Sequence, residues 1–210
     1  EGRKIIEQYQ PDLVFSDIAM PGVDGLKMIA GLKSEFPDME ISILTGYRDF
    51  EYAQEAVRLG VRRFLLKPSS MKEIEEAVEA MVQGLEKKAA ISKAEEPKEK
   101  CDMANSFIVK NAMRYIENHY TERLTLLEVA EQTYVSQWHL SKLLNKHTGH
   151  SFSELLNRTR IAKAQELLKE QSLRIGDIAE QVGFLDMAHF SRVFKKIVGM
   201  SANEYRNMMS

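Results

Sequence analysis

The chain contains, at residues 13–25, the stretch LVFSDIAMPGVDG, which decides the fold of its first half. An apolar run, Leu13 to Phe15, is followed closely by the carboxylate of Asp17 and then by a turn rich in Pro and Gly. In a parallel α/β sheet, ligand and reaction sites gather at the carboxyl edge of the strands. A buried strand over Leu13 to Phe15 would deliver Asp17 to that edge. The same residues also fit a plain strand followed by an Asp-Pro-Gly turn, so the neighbouring segments must decide between the two.

Apolar residues on both sides of this stretch alternate between helical and strand spacing. The predicted elements are, in chain order, a helix over residues 1–10, a strand over 13–15, a helix over 26–36, a strand over 41–44, a helix between Asp49 and Gly60, a strand over 61–66 and a helix over 71–85. Strands that alternate with helices of this length indicate βαβ units, and therefore a parallel sheet.

Three polar residues follow the three predicted strands: Asp17, Thr45 and Lys67. Because parallel strands place their carboxyl ends at the same edge of a sheet, these side chains can converge there. A carboxylate, a hydroxyl and an ammonium group in one crevice suit a phosphoryl group that is carried on the carboxylate. The pattern therefore predicts Asp17 as the nucleophile, with Lys67 and Thr45 in contact with the phosphoryl oxygens.

The motifs SDIAMPGVDG at 16–25, LTG at 44–46 and FLLKP at 64–68 occur together and in this order. By these motifs the first 88 residues resemble the CheY-like receiver domain of response regulators, which has a flavodoxin-like α/β fold. The resemblance implies that Asp17 is the phosphoacceptor, Thr45 the switch hydroxyl and Phe64 the switch aromatic. It further implies that Lys67 contacts the phosphate, that Lys67-Pro68 is a cis peptide, and that Mg²⁺ binds to Asp17 and the backbone carbonyl of Ala19.

The chain departs from this family at its start. Receiver domains begin with a strand that ends in two acidic residues which hold Mg²⁺, followed by a helix and a second strand. Those elements need roughly 30–45 residues, and none of them precedes Glu1. We therefore expect an incomplete receiver, from a truncated or processed chain, whose Mg²⁺ needs acidic ligands absent from these residues. Glu35, Asp38 and Glu40 are expected by the far end of the sheet, where they cannot replace the missing pair.

The second half contains one pattern twice. Residues 124–157 and 173–207 match at an offset of 49, which becomes 50 after one inserted residue; Ala130-Glu131-Gln132, for example, recurs as Ala179-Glu180-Gln181. Each copy is predicted to form two helices joined by a short turn, with Ser136 and Asp186 as the N-caps of the second helices. Such a helix-turn-helix places its second helix in the major groove of DNA.

Helical spacing separates a buried and an exposed face on each second helix. Leu140, Leu143 and Leu144 are predicted to face inward in the first copy, and Phe190, Val193 and Phe194 in the second. The residues left outward are Gln137, Trp138, Ser141, Lys142 and Asn145 in the first copy, and Met187, Ala188, His189, Ser191, Arg192 and Lys195 in the second. An exposed Trp among polar residues is costly unless it meets a partner, so we favour DNA contact for Trp138 over half-burial in the domain.

Two further helices are predicted around these copies. One runs from Ser106 to Tyr120 in front of the first copy, and the other from Phe152 to Lys169 between the two. Arg158, Arg160 and Lys163 of the connecting helix fit a solvated face as well as they fit phosphate contacts.

Residues 105–208 resemble the AraC-type DNA-binding domain, through GF at 183–184, HFSRVFKK at 189–196, GMS at 199–201 and EYR at 204–206. The resemblance implies two recognition helices in successive major-groove segments, with DNA contacts by Gln137, Trp138, Ser141, Lys142, His189, Arg192 and Lys195. Two residues depart from the family pattern. Ala202 stands where a Pro is usual, and Ala188 offers no hydrogen bond to a base, so the second helix would either read bases through His189 and Arg192 alone or mostly bind phosphate.

Composition excludes several other classes. No apolar run approaches the roughly 20 residues that a membrane span needs, and the single Cys101 allows no intramolecular disulfide and fits a reducing cytosol. Residues 1–100 carry 15 Lys and Arg against 19 Asp and Glu, whereas residues 101–210 carry 14 against 12, a distribution that suits an acidic module joined to one that meets a polyanion. A haloacid-dehalogenase-like phosphatase is excluded because Ala19 stands where its second catalytic Asp would be, so we expect no enzyme.

The sequence therefore predicts an incomplete receiver over 1–88, a linker over 89–104 and a double helix-turn-helix domain over 105–210. This order resembles the YesN-like two-component regulators: a sensor histidine kinase would phosphorylate Asp17, and paired chains would then bind promoter DNA in the cytoplasm. The alternative is a phosphorylation-independent DNA-binding protein whose receiver serves only as a dimerisation platform. The incomplete acidic site favours that alternative.

Overall fold

The computed structural model describes residues 2–20, 22–46, 50–91, 98–170 and 172–209. By its internal contacts the chain divides into two compact units, the first comprising Glu1–Ile108 with Thr133–Val135 and the second Val109–Gln132 with Ser136–Ser210. The predicted helix cap Asp49 and the middle of the predicted linker, residues 92–97, lie outside the described residues. The predicted domain boundaries near residues 88 and 104 stay a prediction.

The first unit is a parallel three-stranded sheet with helices, and this confirms the α/β fold predicted for it. Its elements are α1 (Gly2–Tyr9), β1 (Leu13–Ser16), β2 (Ala19–Met20), β3 (Val23–Asp24), α2 (Gly25–Glu35), β4 (Glu40–Thr45), α3 (Phe50–Arg58), β5 (Phe64–Leu66) and α4 (Met71–Ile91). The sheet order is β1-β4-β5. Val14 pairs with Ile41, and Ile43 pairs with Phe64, in parallel register.

Two features of this unit differ from the sequence prediction. The third strand of the sheet begins at Phe64 rather than Val61, because the amide of Val61 donates to the carbonyl of Ala56 at 3.1 Å and so still belongs to the turn that ends α3. A small antiparallel ladder, β2 with β3, was not predicted. Its strands have two residues each, too few to show an alternating pattern.

A buried carboxylate fixes α4 against the amino end of the sheet. Glu40, at the start of β4, is 1% exposed and accepts hydrogen bonds from Arg62 Nε at 2.9 Å and Nη2 at 3.0 Å. Lys88 Nζ on α4 lies 2.9 Å from the same carboxylate and also donates to the carbonyls of Pro37 and Asp38. Glu40 pairs with Leu13, so it lies at the end of the sheet away from Thr45, as predicted.

The charge of Glu40 is maintained by its neighbours. Burial acts to raise the pKa of this carboxyl, but hydrogen bonds from Arg62 and Lys88 and the positive charge of Lys33 outweigh burial and hold the pKa below 4.5. A group whose pKa is lowered on folding stabilises the folded state above its unfolded pKa. That contribution is lost as the pH falls through the folded pKa.

We expect Glu40→Gln to lower the free energy of unfolding by about 1–3 kcal/mol at pH 7, since Arg62 and Lys88 would lose the charge that they pair with. Urea unfolding of the chain, followed by far-UV circular dichroism, measures the change. The difference from the parent should shrink as the pH falls through the lowered pKa of the folded state, because the carboxyl of Glu40 is then protonated in the folded protein as well.

Glu55→Gln is the matched control for this substitution. Glu55 pairs with Arg58 at 3.2 Å on the surface of α3, and such pairs contribute about 0–1 kcal/mol. Equal destabilisation by the two substitutions would contradict the role given to Glu40.

The second unit is all-helical, as predicted. Its helices, with the long one that enters it from the first unit, are α5 (Lys98–His119), α6 (Leu126–Gln132), α7 (Gln137–Thr148), α8 (Phe152–Leu167), α9 (Ile175–Gln181), α10 (Met187–Val198) and α11 (Ala202–Met209). The start predicted for α5, Ser106, is wrong: the helix begins at Lys98, because the residues before Ser106 are mostly good helix formers.

The two copies of the repeat are each built on buried apolar side chains and side-chain caps. Phe190 and Phe194 of α10 are fully buried among residues of α8 and α9, including Ile161 and Ile178. Ser201 caps α11 by exchanging hydrogen bonds with Glu204. Ala202 is therefore the first residue of a helix, a position where Pro is favoured but where Ala fits equally well.

Candidate phosphoacceptor site and DNA interface

Asp17 lies directly after β1 at the carboxyl edge of the sheet. Lys67, directly after β5, reaches the Asp17 carboxylate with its Nζ 2.7 Å from Oδ2. The side chain of Asp17 is 28% exposed and that of Lys67 is 47% exposed. An ion pair this open adds at most about 1 kcal/mol to stability. The pair places a partly exposed carboxylate next to a cation at this edge of the sheet.

Thr45 and Phe64 lie on the strands that carry this pair. Thr45 ends β4 and is 1% exposed, and its carbonyl accepts a hydrogen bond from the amide of Lys67 at 2.8 Å. Phe64 begins β5 beside Ile43 and is half-buried. The peptide bond between Lys67 and Pro68 is cis, as the resemblance implies. Because of the hydrogen bond between them, a displacement of Thr45 would also move the backbone of Lys67.

Close packing of α2 positions the chain after Asp17. Asp24 caps the helix by accepting a hydrogen bond from the amide of Lys27 at 3.2 Å. Gly25, the first residue of α2, has no room for a side chain, because a Cβ there would lie 2.6 Å from both the Cα and the carbonyl oxygen of Ile18. This packing role was missed in the sequence. The only signal for it is a Gly directly after a good N-cap residue.

The residues described do not complete a magnesium site. Mg²⁺ requires near-octahedral oxygen coordination. The carboxyl end of β1 supplies the carboxylate of Asp17 and, by the resemblance, the carbonyl of Ala19. Within the described part of the chain, no group of three or more His, Cys, Asp or Glu side chains could hold a metal ion.

The exposed face of α7 carries the first set of predicted DNA contacts. Ser136 caps the helix through the amide of His139 at 3.3 Å, and Leu140, Leu143 and Leu144 are buried. Gln137, Ser141 and Lys142 are exposed, and so is Trp138, at 71%. Trp138 is therefore not half-buried in its own domain. The Nζ of Lys142 lies 5.2 Å from the centroid of its ring, so the indole is held by a cation on the same face.

The exposed face of α10 carries the second set. Asp186 caps this helix by accepting hydrogen bonds from the amides of Ala188 and His189, each at 3.0 Å. His189, Arg192 and Lys195 are exposed along the helix. Both helices thus present polar and basic side chains on one side and bury apolar side chains on the other.

One interpretation of the connecting helix is wrong. Arg160 of α8 is neither on a solvated face nor free to contact phosphate, because it is half-buried and donates to the carbonyls of Tyr120 and Glu122. Arg158 is exposed, and Lys163 forms an ion pair with Glu166 at 3.0 Å. Sequence spacing does not separate Arg158 from Arg160, since both flank the apolar stripe of the same helix.

None of the helices in the described ranges is both long enough and apolar enough to cross a membrane.

Comparison with known proteins gives matches to both halves. The response regulator receiver domain family matches residues 1–79, and a helix-turn-helix domain family matches residues 129–208. An uncharacterised response regulatory protein of Staphylococcus epidermidis is 32% identical over 215 residues, which is 99% of this chain and 84% of that protein. The transcriptional regulatory protein HptR of Staphylococcus aureus is 31% identical over 216 residues, 98% of this chain and 83% of its own length.

Among solved structures, the C-terminal domain of AraT, a response regulator from Geobacillus stearothermophilus, is 43% identical and has a TM-score of 0.46. The match covers 48% of this chain and 84% of that domain. The C-terminal domain of the two-component response regulator yesN from Fusobacterium nucleatum is 35% identical, with a TM-score of 0.44, over 46% of this chain and 95% of that domain.

We expect Gly25→Ala to lower the free energy of unfolding by about 1–3 kcal/mol, because its Cβ would force the backbone at Ile18 to move. Urea unfolding followed by far-UV circular dichroism measures this change. Gly46→Ala is the control, since a Cβ at Gly46 would meet nothing within 4 Å. The free energy of unfolding of Gly46→Ala should be unchanged or raised by up to about 1 kcal/mol. If Gly46→Ala lowered it as much as Gly25→Ala does, the contact with Ile18 would not be the cause.

Proposed function

Since this chain belongs to the response regulators that join a receiver domain to an AraC-type helix-turn-helix domain, we propose which of its residues carry out phosphorylation and which bind DNA. The chain is a phosphorylation-controlled transcriptional regulator of a two-component system, with two helix-turn-helix motifs for promoter DNA. One observation carries the proposal: the partly exposed carboxylate of Asp17, 2.7 Å from Lys67 at the carboxyl edge of the sheet, is in the same chain as two capped helices that present basic residues.

Asp17 is proposed as the phosphoacceptor. A carboxylate oxygen attacks the phosphorus of the donor, the bond from phosphorus to the leaving group breaks, and the product is an aspartyl phosphate. The donor in the cell is a phosphohistidine of a sensor kinase. Lys67 already contacts the Asp17 carboxylate and would transfer its hydrogen bonds to the added phosphoryl oxygens. From this chain, Mg²⁺ would be held by the carboxylate of Asp17 and the carbonyl of Ala19.

Thr45 and Phe64 are proposed to respond to phosphorylation by changing the positions of β4 and β5 at the carboxyl edge of the sheet. The carbonyl of Thr45 accepts a hydrogen bond from the amide of Lys67. A shift of Lys67 toward a phosphoryl group would therefore move the ends of β4 and β5 together. Phe64 is only half-buried and can change its packing at a lower cost than a core residue. We infer that this change pairs two chains, so that four helix-turn-helix units meet tandem sites on DNA in the cytoplasm.

The DNA contacts are proposed to come from α7 and α10. Gln137, Trp138, Ser141 and Lys142 would contact the first groove segment, with the indole available for apolar or stacking contact. His189, Arg192 and Lys195 would contact the second. Arg and Lys bind guanine edges or phosphates, whereas Ala188, which precedes His189, can make only apolar contact.

A second candidate function is DNA binding that does not depend on phosphorylation, with the receiver only as a dimerisation platform. This candidate needs no bound metal, and within the described residues no group of three or more His, Cys, Asp or Glu side chains could hold one. Phosphorylation assays distinguish the two functions.

We expect any label that the chain incorporates from radioactive acetyl phosphate in the presence of magnesium chloride to be abolished by Asp17→Asn, because the nucleophilic oxygen is lost. Lys67→Ala should reduce it. Asp12→Asn is the control, because Asp12 precedes β1 and lies at the other end of that strand. If the parent binds DNA yet takes up no label, the phosphorylation-independent function is the correct one.

We expect Lys142→Ala and Arg192→Ala to weaken binding to a duplex enriched from random DNA by the parent chain, on the order of tenfold at low salt. If the lost contact is to a phosphate, the slope of log affinity against log salt should fall by about one, so the loss is smaller at high salt. Fluorescence anisotropy of labelled duplex measures both quantities. Lys110→Ala removes the same charge from α5, outside both motifs, and should bind like the parent; a similar loss in all three variants would argue against the assignment.

A further inference from the structure

Arg160 occupies a site that none of the proposed functions uses. It lies on α8, the helix that connects the two helix-turn-helix motifs, and is half-buried. Its Nε donates to the carbonyl of Tyr120 at 2.7 Å and its Nη2 to the carbonyl of Glu122 at 2.8 Å. Its guanidinium also lies over the ring of Phe184, 5.5 Å from the centroid. Burial lowers the pKa of this guanidinium, but an Arg side chain stays charged in a protein.

These three contacts belong to different parts of the DNA-binding unit. Tyr120 and Glu122 lie between α5 and α6, in the turn that leads into the first motif. Phe184 lies in the turn of the second motif, between α9 and α10. One side chain on the connecting helix therefore holds the start of the first motif and the turn of the second.

The two turns also touch each other through their backbones. A Cβ on Gly183 would lie 2.7 Å from the carbonyl oxygen of Thr121 and 2.8 Å from that of Tyr120. Gly183 has φ +89°, a conformation that L side chains rarely adopt. We call this contact the junction; it consists of Tyr120, Thr121, Glu122, Arg160, Gly183 and Phe184.

The junction is connected to the second recognition helix by ring contacts. The ring of Phe184 meets the ring of Phe190 at 5.3 Å and 74°, and that of His189 at 5.5 Å and 68°. Phe190 is fully buried and anchors α10, whereas His189 is exposed on the face proposed to contact DNA. A movement of Phe184 would therefore shift α10 and the side chain of His189 with it.

We propose that Arg160 is a positioning residue that fixes the second recognition helix relative to the first, and so sets the spacing between the two base-pair blocks that the chain recognises. The inference rests on the proposed DNA-binding function. Spacing between half-sites follows from the geometry of the protein that holds the two helices. The planar guanidinium can donate to two carbonyls and stack on a ring at once, which the ammonium of a Lys cannot do.

The experiment is in vitro selection from randomised duplex DNA with the full chain. The parent is expected to enrich two sequence blocks at a single separation. Arg160→Ala is expected to enrich the same blocks with separations spread over two or more base pairs. Arg158→Ala, which removes an exposed charge two residues away on the same helix, should behave as the parent.

Affinities for three duplexes then separate positioning from a general structural role. The duplexes carry the parent's spacing, one inserted base pair and one deleted base pair between the blocks. For Arg160→Ala, the preference for the parent's spacing should fall about tenfold or more. A uniform loss of affinity on all three duplexes, or an unchanged preference, would overturn the proposal.

Three further outcomes complete the test. If thermal unfolding shows that Arg160→Ala does not fold, Arg160→Lys is used, which keeps the charge; it should show a broadened spacing, and a spacing as sharp as the parent's would overturn the proposal. If the parent enriches no sequence at all, the proposed DNA-binding function fails, and this inference fails with it. A parent that selects spaced blocks while Arg160→Ala selects them at the same single spacing refutes the positioning role alone.

Discussion

Asp17 and Lys67 form a 2.7 Å ion pair because β1 and β5 run parallel on either side of β4. Parallel strands end at one edge, so residues 50 positions apart in the chain are brought within hydrogen-bond distance. The same register places Thr45 at this edge, where its carbonyl holds the backbone of Lys67. The proposed phosphorylation, the proposed switch and the path from one to the other all depend on this arrangement of three short strands.

The two ends of the sheet use charge for different purposes. At the amino end, Glu40 is almost fully buried between Arg62 and Lys88, so its charge contributes to holding α4 in place. At the carboxyl end, the Asp17–Lys67 pair is open to solvent and contributes little to stability. Breaking this ion pair therefore costs little free energy. Replacing the contact between Asp17 and Lys67 by contacts to a phosphoryl group, as proposed above, would therefore cost little stability.

The second unit depends on repetition and on one departure from it. Equivalent caps, Ser136 and Asp186, begin α7 and α10, and buried Leu residues in the first copy correspond to buried Phe residues in the second. Each copy thus presents its polar face by the same local rules. Arg160 belongs to neither copy: it lies between them on α8, and it contacts the turn that precedes the first motif and the turn within the second. The repeat forms the two recognition helices, α7 and α10, and the junction is proposed to fix the position of one relative to the other.

The sequence by itself determined most of the helices and strands, the two families and the outward faces of α7 and α10. These features follow from local patterns. Apolar spacing, cap residues and motifs at strand ends depend only on residues that are close together in the chain. Only the tertiary structure decided that Val61 to Arg63 precede β5, that Gly25 packs on Ile18 and that Arg160 is half-buried while Arg158 is exposed. Each of these depends on which distant backbone approaches the residue. Two Arg residues on one helix carry the same local signal, and only the carbonyls of Tyr120 and Glu122 distinguish them.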